Sequence, residues 1–139
     1  MFTWISSSPW AFPALEVVHI VGIALLLGNL VLVEARVWGA GAALDVAALG
    51  RLALPLSLAG FGLIVASGTL MFASQPQELL ANRAFAVKLG LVLLAGCNAA
   101  MFHARGGLAK LDATARLQTL LSLGLWIGAI IAGRWIAYL

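Results

Sequence analysis

Residues 15–38, LEVVHIVGIALLLGNLVLVEARVW, decide what kind of chain this is. Between His19 and Glu34 a single polar side chain, Asn29, interrupts an apolar run. About 20 such residues cross the hydrocarbon core of a bilayer as a helix. Three more stretches have the same character, at 52–74, 85–103 and 117–139. These runs are continuous and not alternating, which excludes an eight-stranded membrane barrel. The chain is 63% hydrophobic and only 9% charged, where soluble domains carry about 25% charged residues. At 139 residues it reads as one domain, 1–139. With short connections, the expected architecture is an all-α, four-transmembrane-helix bundle running up-down-up-down.

The punctuation agrees. Gly39, Gly41 and Asp45 follow the first run, Gln75-Pro76 the second, and Arg105-Gly106-Gly107 the third. Pro55 is expected in the first turn of the second helix, where its missing N–H costs little. Residues 1–13 carry Trp4, Trp10, Pro9 and Pro13 and read as an interfacial segment held by indoles at headgroup level. They lack a basic stretch and an A-x-A-like site, so no cleaved signal peptide is expected. Arg36, Arg51, Arg105, Lys110 and Arg116 flank the first and third loops, whereas Arg83 stands in the second. The positive-inside rule then makes the first and third loops cytoplasmic and turns both termini outward. Nothing in the net charge of +3 points to nucleic acid. Cys97 is the only cysteine, which removes disulfides and cysteine metal clusters.

The two halves share a spacing. Arg51, Ser57-Leu58 and Gly68 match Arg116, Ser122-Leu123 and Gly133, while Gly22 and Gly28 match Gly90 and Gly96. This suggests two repeated helical hairpins related by an axis along the membrane normal. The small residues would let helices approach closely. The match breaks where chemistry is concentrated: His19 aligns with Val87, and Arg134 with Thr69.

Ionisable groups at membrane depth are costly unless partnered, which makes them functional candidates. Glu16, His19, Gly22, Leu26, Asn29, Val33 and Arg36 follow three- and four-residue steps, one helix face that is expected to look inward. Lys88, Val92, Ala95, Ala99 and Phe102 form the facing stripe on the third helix, with a cavity expected between. Helix counting places His19, Lys88 and Arg134 at one depth. His19 has three readings. It could ligate haem iron, with Glu16 orienting the imidazole and Lys88 and Arg134 balancing propionates. It could bind a metal ion with Glu16 in a Glu-x-x-His arrangement, although di-metal bundles need further carboxylates. It could be a structural residue hydrogen-bonded near the interface. A bis-histidine haem is excluded, because His19 and His103 lie near opposite ends of parallel helices, about 20 Å apart at 1.5 Å per residue. A sixth ligand would be Lys88, Met71 or an external group. Copper handling usually recruits clusters of Met, Cys or His, and Met1, Met71 and Met101 are scattered.

The run Phe12-Pro13-Ala14-Leu15-Glu16-Val17-Val18-His19-Ile20-Val21-Gly22, with Glu34-Ala35-Arg36, Lys88, Asn98 and Gly133-Arg134-Trp135, resembles a bacterial family of four-helix inner-membrane proteins described only as a domain of unknown function. That family usually has Asp-Leu-Arg where this chain has Glu34-Ala35-Arg36. More distantly, a first-helix His with a third-helix Lys is similar to the HemJ protoporphyrinogen oxidases and the CopD copper-resistance proteins. The HemJ likeness implies essential roles for His19 and Lys88 and binding of haem b. The aromatic and arginine pattern that follows the histidine there is not reproduced here. The expectation is a multi-pass protein of the bacterial cytoplasmic membrane that binds b-type haem or porphyrin in the outer half of the bilayer. Its role would be redox, with quinone, a partner subunit or a second copy as further partners. The alternatives are a metal-handling transporter using Glu16 and His19, and a scaffold subunit without chemistry.

Overall fold

The structure is a computed structural model that describes residues 3–139, and it is all-helical. A short α1 (Thr3–Ser7) leads into α2 (Ala11–Val37), α3 (Val46–Ser74), a short α4 (Pro76–Leu80), α5 (Arg83–Ala104) and α6 (Ala113–Trp135), with 3-10 turns at Gly107–Ala109 and Ile136–Tyr138. Helices α2, α3, α5 and α6 are each long and apolar enough to cross a membrane. Side chains such as Trp10, Leu58 and Leu93 stand exposed on their outer faces, as a lipid environment requires. This is a four-helix bundle of a multi-pass membrane protein.

All four long helices begin earlier than hydropathy alone places them, and in α3, α5 and α6 a polar cap and not the apolar run marks the start. The Asp45 carboxylate accepts from Ala47 N–H at 3.2 Å and starts α3 at Val46. Pro55 therefore lies inside α3 and not in its first turn, a correction to the expected boundary. Such interior prolines are tolerated in membrane helices because neighbouring groups re-satisfy the freed carbonyl. Pro13, by contrast, falls in the first turn of α2, where the N–H groups are unpaired in any case. Asp112 accepts from Ala115 N–H at 2.8 Å and starts α6 at Ala113, so the loop after Gly107 is shorter than its composition suggests. That backbone donor, together with the Arg105 guanidinium 2.8 Å away, holds the Asp112 carboxyl below the usual range. Asn82 does the most at one helix end. Its Oδ1 accepts from Ala84 and Phe85 N–H, and its Nδ2 donates to Ile136 O at 2.8 Å, tying the start of α5 to the end of α6. Asn82→Ala should cost about 1–2 kcal/mol, read as a lowered unfolding midpoint in mild detergent; an unchanged midpoint would deny the cap any weight.

The chain packs as two hairpins, α2 with α3 and α5 with α6, joined chiefly where α2 meets α6. The first crossing is backbone on backbone. A Cβ on Gly60 would lie 2.6 Å from Gly22 O and 2.7 Å from Leu26 N, and one on Gly22 would lie 2.7 Å from Gly60 O. One turn away, Ser57 Oγ donates to Leu26 O at 3.1 Å. The second hairpin lacks this crossing, since Leu125 stands where the Arg51-to-Arg116 spacing would repeat Gly60. Gly28, Gly90 and Gly96 meet nothing within 4 Å, so the packing role expected of them is not found. Between hairpins, Trp38 Nε1 donates to Thr119 Oγ1 at 2.9 Å while the Arg116 guanidinium lies 5.8 Å over the Trp38 ring.

Candidate functional site

The buried face of α2 runs through His19, Gly22, Leu26, Val33 and Val37, close to the expected stripe. It delivers one imidazole into the bundle near the end that carries both termini. On α3 the buried stripe Ala53, Ser57, Gly60, Ser67 faces it. Ser67 Oγ lies 2.9 Å from His19 Nδ1. The Ser67 hydroxyl proton is already committed to Leu63 O at 2.7 Å, as helical serines commonly arrange it. The hydroxyl must then accept from His19, which fixes the proton on Nδ1 and leaves the Nε2 lone pair free. That lone pair faces Lys88 Nζ, 3.0 Å away on α5.

Two glycines border this chain of contacts. A Cβ on Gly133 would sit 3.3 Å from Lys88 Nζ, a tight approach, whereas one on Gly68 would meet His19 Cε1 at 3.5 Å, an ordinary contact. These are the glycines that the internal spacing pairs with each other, and each borders one member of the pair. The Ser67–His19–Lys88 line thus spans α3, α2 and α5, with α6 closing it through Gly133.

Among the five residues singled out by sequence, the structure brings together His19 and Lys88. Glu16 is exposed and makes no hydrogen bond to the imidazole; Ser67 orients the ring instead. Arg134 follows Gly133 and so shares the depth of Lys88, but its head group is turned outward, donating to Tyr138 Oη at 3.0 Å and stacking 5.1 Å over that ring. Met71 is half-buried one turn beyond Ser67 on α3. Ser67 is not among the residues that the sequence singles out, and nothing in the residue order distinguishes it from Ser57.

Electrostatically the pair is one-sided. An ammonium has three N–H donors, and the imidazole takes one of them. Among the described residues the only ion pair within 4 Å is Arg105–Asp112, so no carboxylate balances Lys88. In this half-buried position Lys88 offers donors toward an oxygen acceptor from outside the chain. Both ring nitrogens of His19 are engaged, and no group of three or more His, Cys, Asp and Glu side chains comes together among the described residues. Neither of the two main cavities reaches His19. One is an apolar groove between α5 and α6, lined by Val87, Gly128 and Trp135. The other lies at the opposite end of the bundle, where Glu34, Asn98 and His103 meet. Of the stripes expected to face each other on α2 and α5, Val33, Ala99 and Phe102 line the second of these cavities, at the Glu34 end.

Set beside known proteins, the chain matches no family model, no curated protein and no solved structure. Its function has to be argued from the site alone.

Proposed function

We propose that this chain is an integral membrane protein that binds a porphyrin through the His19–Lys88 pair, in the outer half of the bacterial cytoplasmic membrane, with a redox role. The observation that carries the reading is the Lys88 ammonium. It stands 3.0 Å from a neutral imidazole, on the inside of a membrane bundle, with no carboxylate within 4 Å among the described residues. A cation so placed is expensive unless a ligand completes it. A porphyrin offers carboxylates on an apolar ring, and charge-assisted N–H···O bonds are the strong kind.

Haem b as an iron-ligated group fits less well. The nitrogen that would face iron is the one Lys88 occupies, and Nδ1 is held by Ser67. The residues present suit recognition of the propionate edge by Lys88, with His19 holding the lysine in place. No step is assigned to iron. Glu16 and His19 do not converge, so the metal-transport alternative draws no support from geometry. A quinone, whose ring oxygen is also an acceptor, would meet the same donors. Redox exchange with quinone or a partner subunit, and the outward placement of the termini by the positive-inside rule, are part of this proposal.

A second reading, a scaffold whose polar line fixes helix register, is favoured by one observation: both ring nitrogens of His19 are already engaged within the bundle, by Ser67 and Lys88. The two readings separate in a purified sample. Protein isolated in mild detergent from porphyrin-replete cells should carry a Soret band that a Lys88→Met sample lacks. Colourless native protein from those cells would overturn the porphyrin reading and leave the scaffold.

A further inference from the structure

At the other end of the bundle sits a group that the site above does not use. Glu34, in the last turn of α2, is 92% buried by its 8% exposure, and its Oε1 has no hydrogen-bond partner. It borders a cavity of about 60 Å³ together with Asn98 and His103 of α5, Gln118, Thr119 and Ser122 of α6, and apolar side chains of α2 and α3. Fifteen residues of α2 separate it from His19, about 22 Å along the helix.

Asn98 Nδ2 donates one N–H to Gln118 O at 2.8 Å, which leaves Asn98 its second N–H and its carbonyl oxygen. Thr119 is spent in both directions, donating to Arg116 O and accepting from Trp38 Nε1. Gln118 Oε1 accepts from Arg105, and that arginine is drawn toward Asp112 at 2.8 Å. His103 is exposed at the rim. What remains beside the carboxylate is the Asn98 carbonyl and the Ser122 hydroxyl as oxygen acceptors, together with amide N–H donors of Asn98 and Gln118. No lysine or arginine lies within 4 Å of the Glu34 carboxylate among the described residues.

We propose that this cavity is a site for a monovalent, sodium-like cation carrying one water. The Glu34 carboxylate, the Asn98 carbonyl and the Ser122 hydroxyl supply three oxygens, the ligand type a hard cation takes. A single carboxylate balances one positive charge, where a divalent ion would call for more. The volume matches too, since a water occupies about 30 Å³ and drug-sized ligands need about 300 Å³ or more. The site is independent of the porphyrin reading and stands or falls without it.

The test is the unfolding midpoint of nanodisc-reconstituted protein, with sodium chloride replaced stepwise by choline chloride at constant ionic strength. A ligand that binds only the folded state raises the midpoint as its concentration passes the dissociation constant. Native protein should show a midpoint that climbs with sodium and not with choline. Glu34→Gln should remove that dependence, and Ser122→Ala should move it to several-fold higher sodium. Should Glu34→Gln fail to fold, the native and Ser122→Ala titrations still decide. A native midpoint indifferent to sodium, or a sodium response that survives in Glu34→Gln, overturns the proposal. So does an infrared carboxylic-acid band, absent in Glu34→Gln, that persists at high sodium, because the carboxyl then holds a proton in place of the ion.

Discussion

Gly60→Val should prevent the first hairpin from docking, at a cost of about 3 kcal/mol or more. The added Cβ meets backbone on two sides, Gly22 O at 2.6 Å and Leu26 N at 2.7 Å, and backbone cannot step aside as a flexible side chain can. Relieving the clash means separating α2 from α3, which also breaks the bond from Ser57 to Leu26 O and the one from Ser67 to His19. Two residues on, Gly62 meets nothing within 4 Å, so Gly62→Val adds the same side chain without the clash and should stay within about 0.5 kcal/mol of native. The comparison is an unfolding titration of both variants in one detergent. Equal stability of the two would show that the crossing does not hold the hairpin.

The second large effect concerns the pair itself and is asymmetric. His19→Leu removes the one protein acceptor facing the Lys88 ammonium and leaves a buried charge uncompensated, a loss on the order of 3–5 kcal/mol where burial is complete and less at the half-buried Lys88. Lys88→Met leaves only a neutral imidazole nitrogen without its donor, about 1–3 kcal/mol. The double variant should be more stable than His19→Leu alone, because it removes the stranded charge together with its partner. A double-mutant cycle in thermal or chemical unfolding reads this directly. Additive losses would mean that the two side chains do not depend on each other, whatever their separation.

Much of this architecture could be read from residue order. Four apolar runs with Gly and Pro at their ends are enough for the four spanning helices, since nothing else satisfies the backbone in lipid. Helix starts were harder. Asp45, Asn82 and Asp112 begin α3, α5 and α6 ahead of the apolar runs, and hydropathy does not register a cap. The meeting of His19 and Lys88 was legible because both are ionisable and sit at equal depth. Ser67 was not, because helical counting gives depth and face but not which hydroxyl touches a ring. Glu16 and Arg134 stay out of the contact for a different reason: near a helix end a long side chain has the choice of turning outward to water and headgroups, as Arg134 does onto Tyr138. Glu34 stands out in the sequence only as the acid of Glu34-Ala35-Arg36. Its burial depends on the meeting of α2, α5 and α6, which no single helix announces.

The most direct measurement of the central claim is a binding titration of the reconstituted protein with protoporphyrin IX and with its dimethyl ester, followed by porphyrin fluorescence. Recognition of a carboxylate by Lys88 predicts that the free acid binds about tenfold or more tighter than the ester. The same claim predicts that Lys88→Met binds the two alike, at the weaker affinity. Equal affinity of native protein for acid and ester, or an acid preference that survives in Lys88→Met, would contradict it.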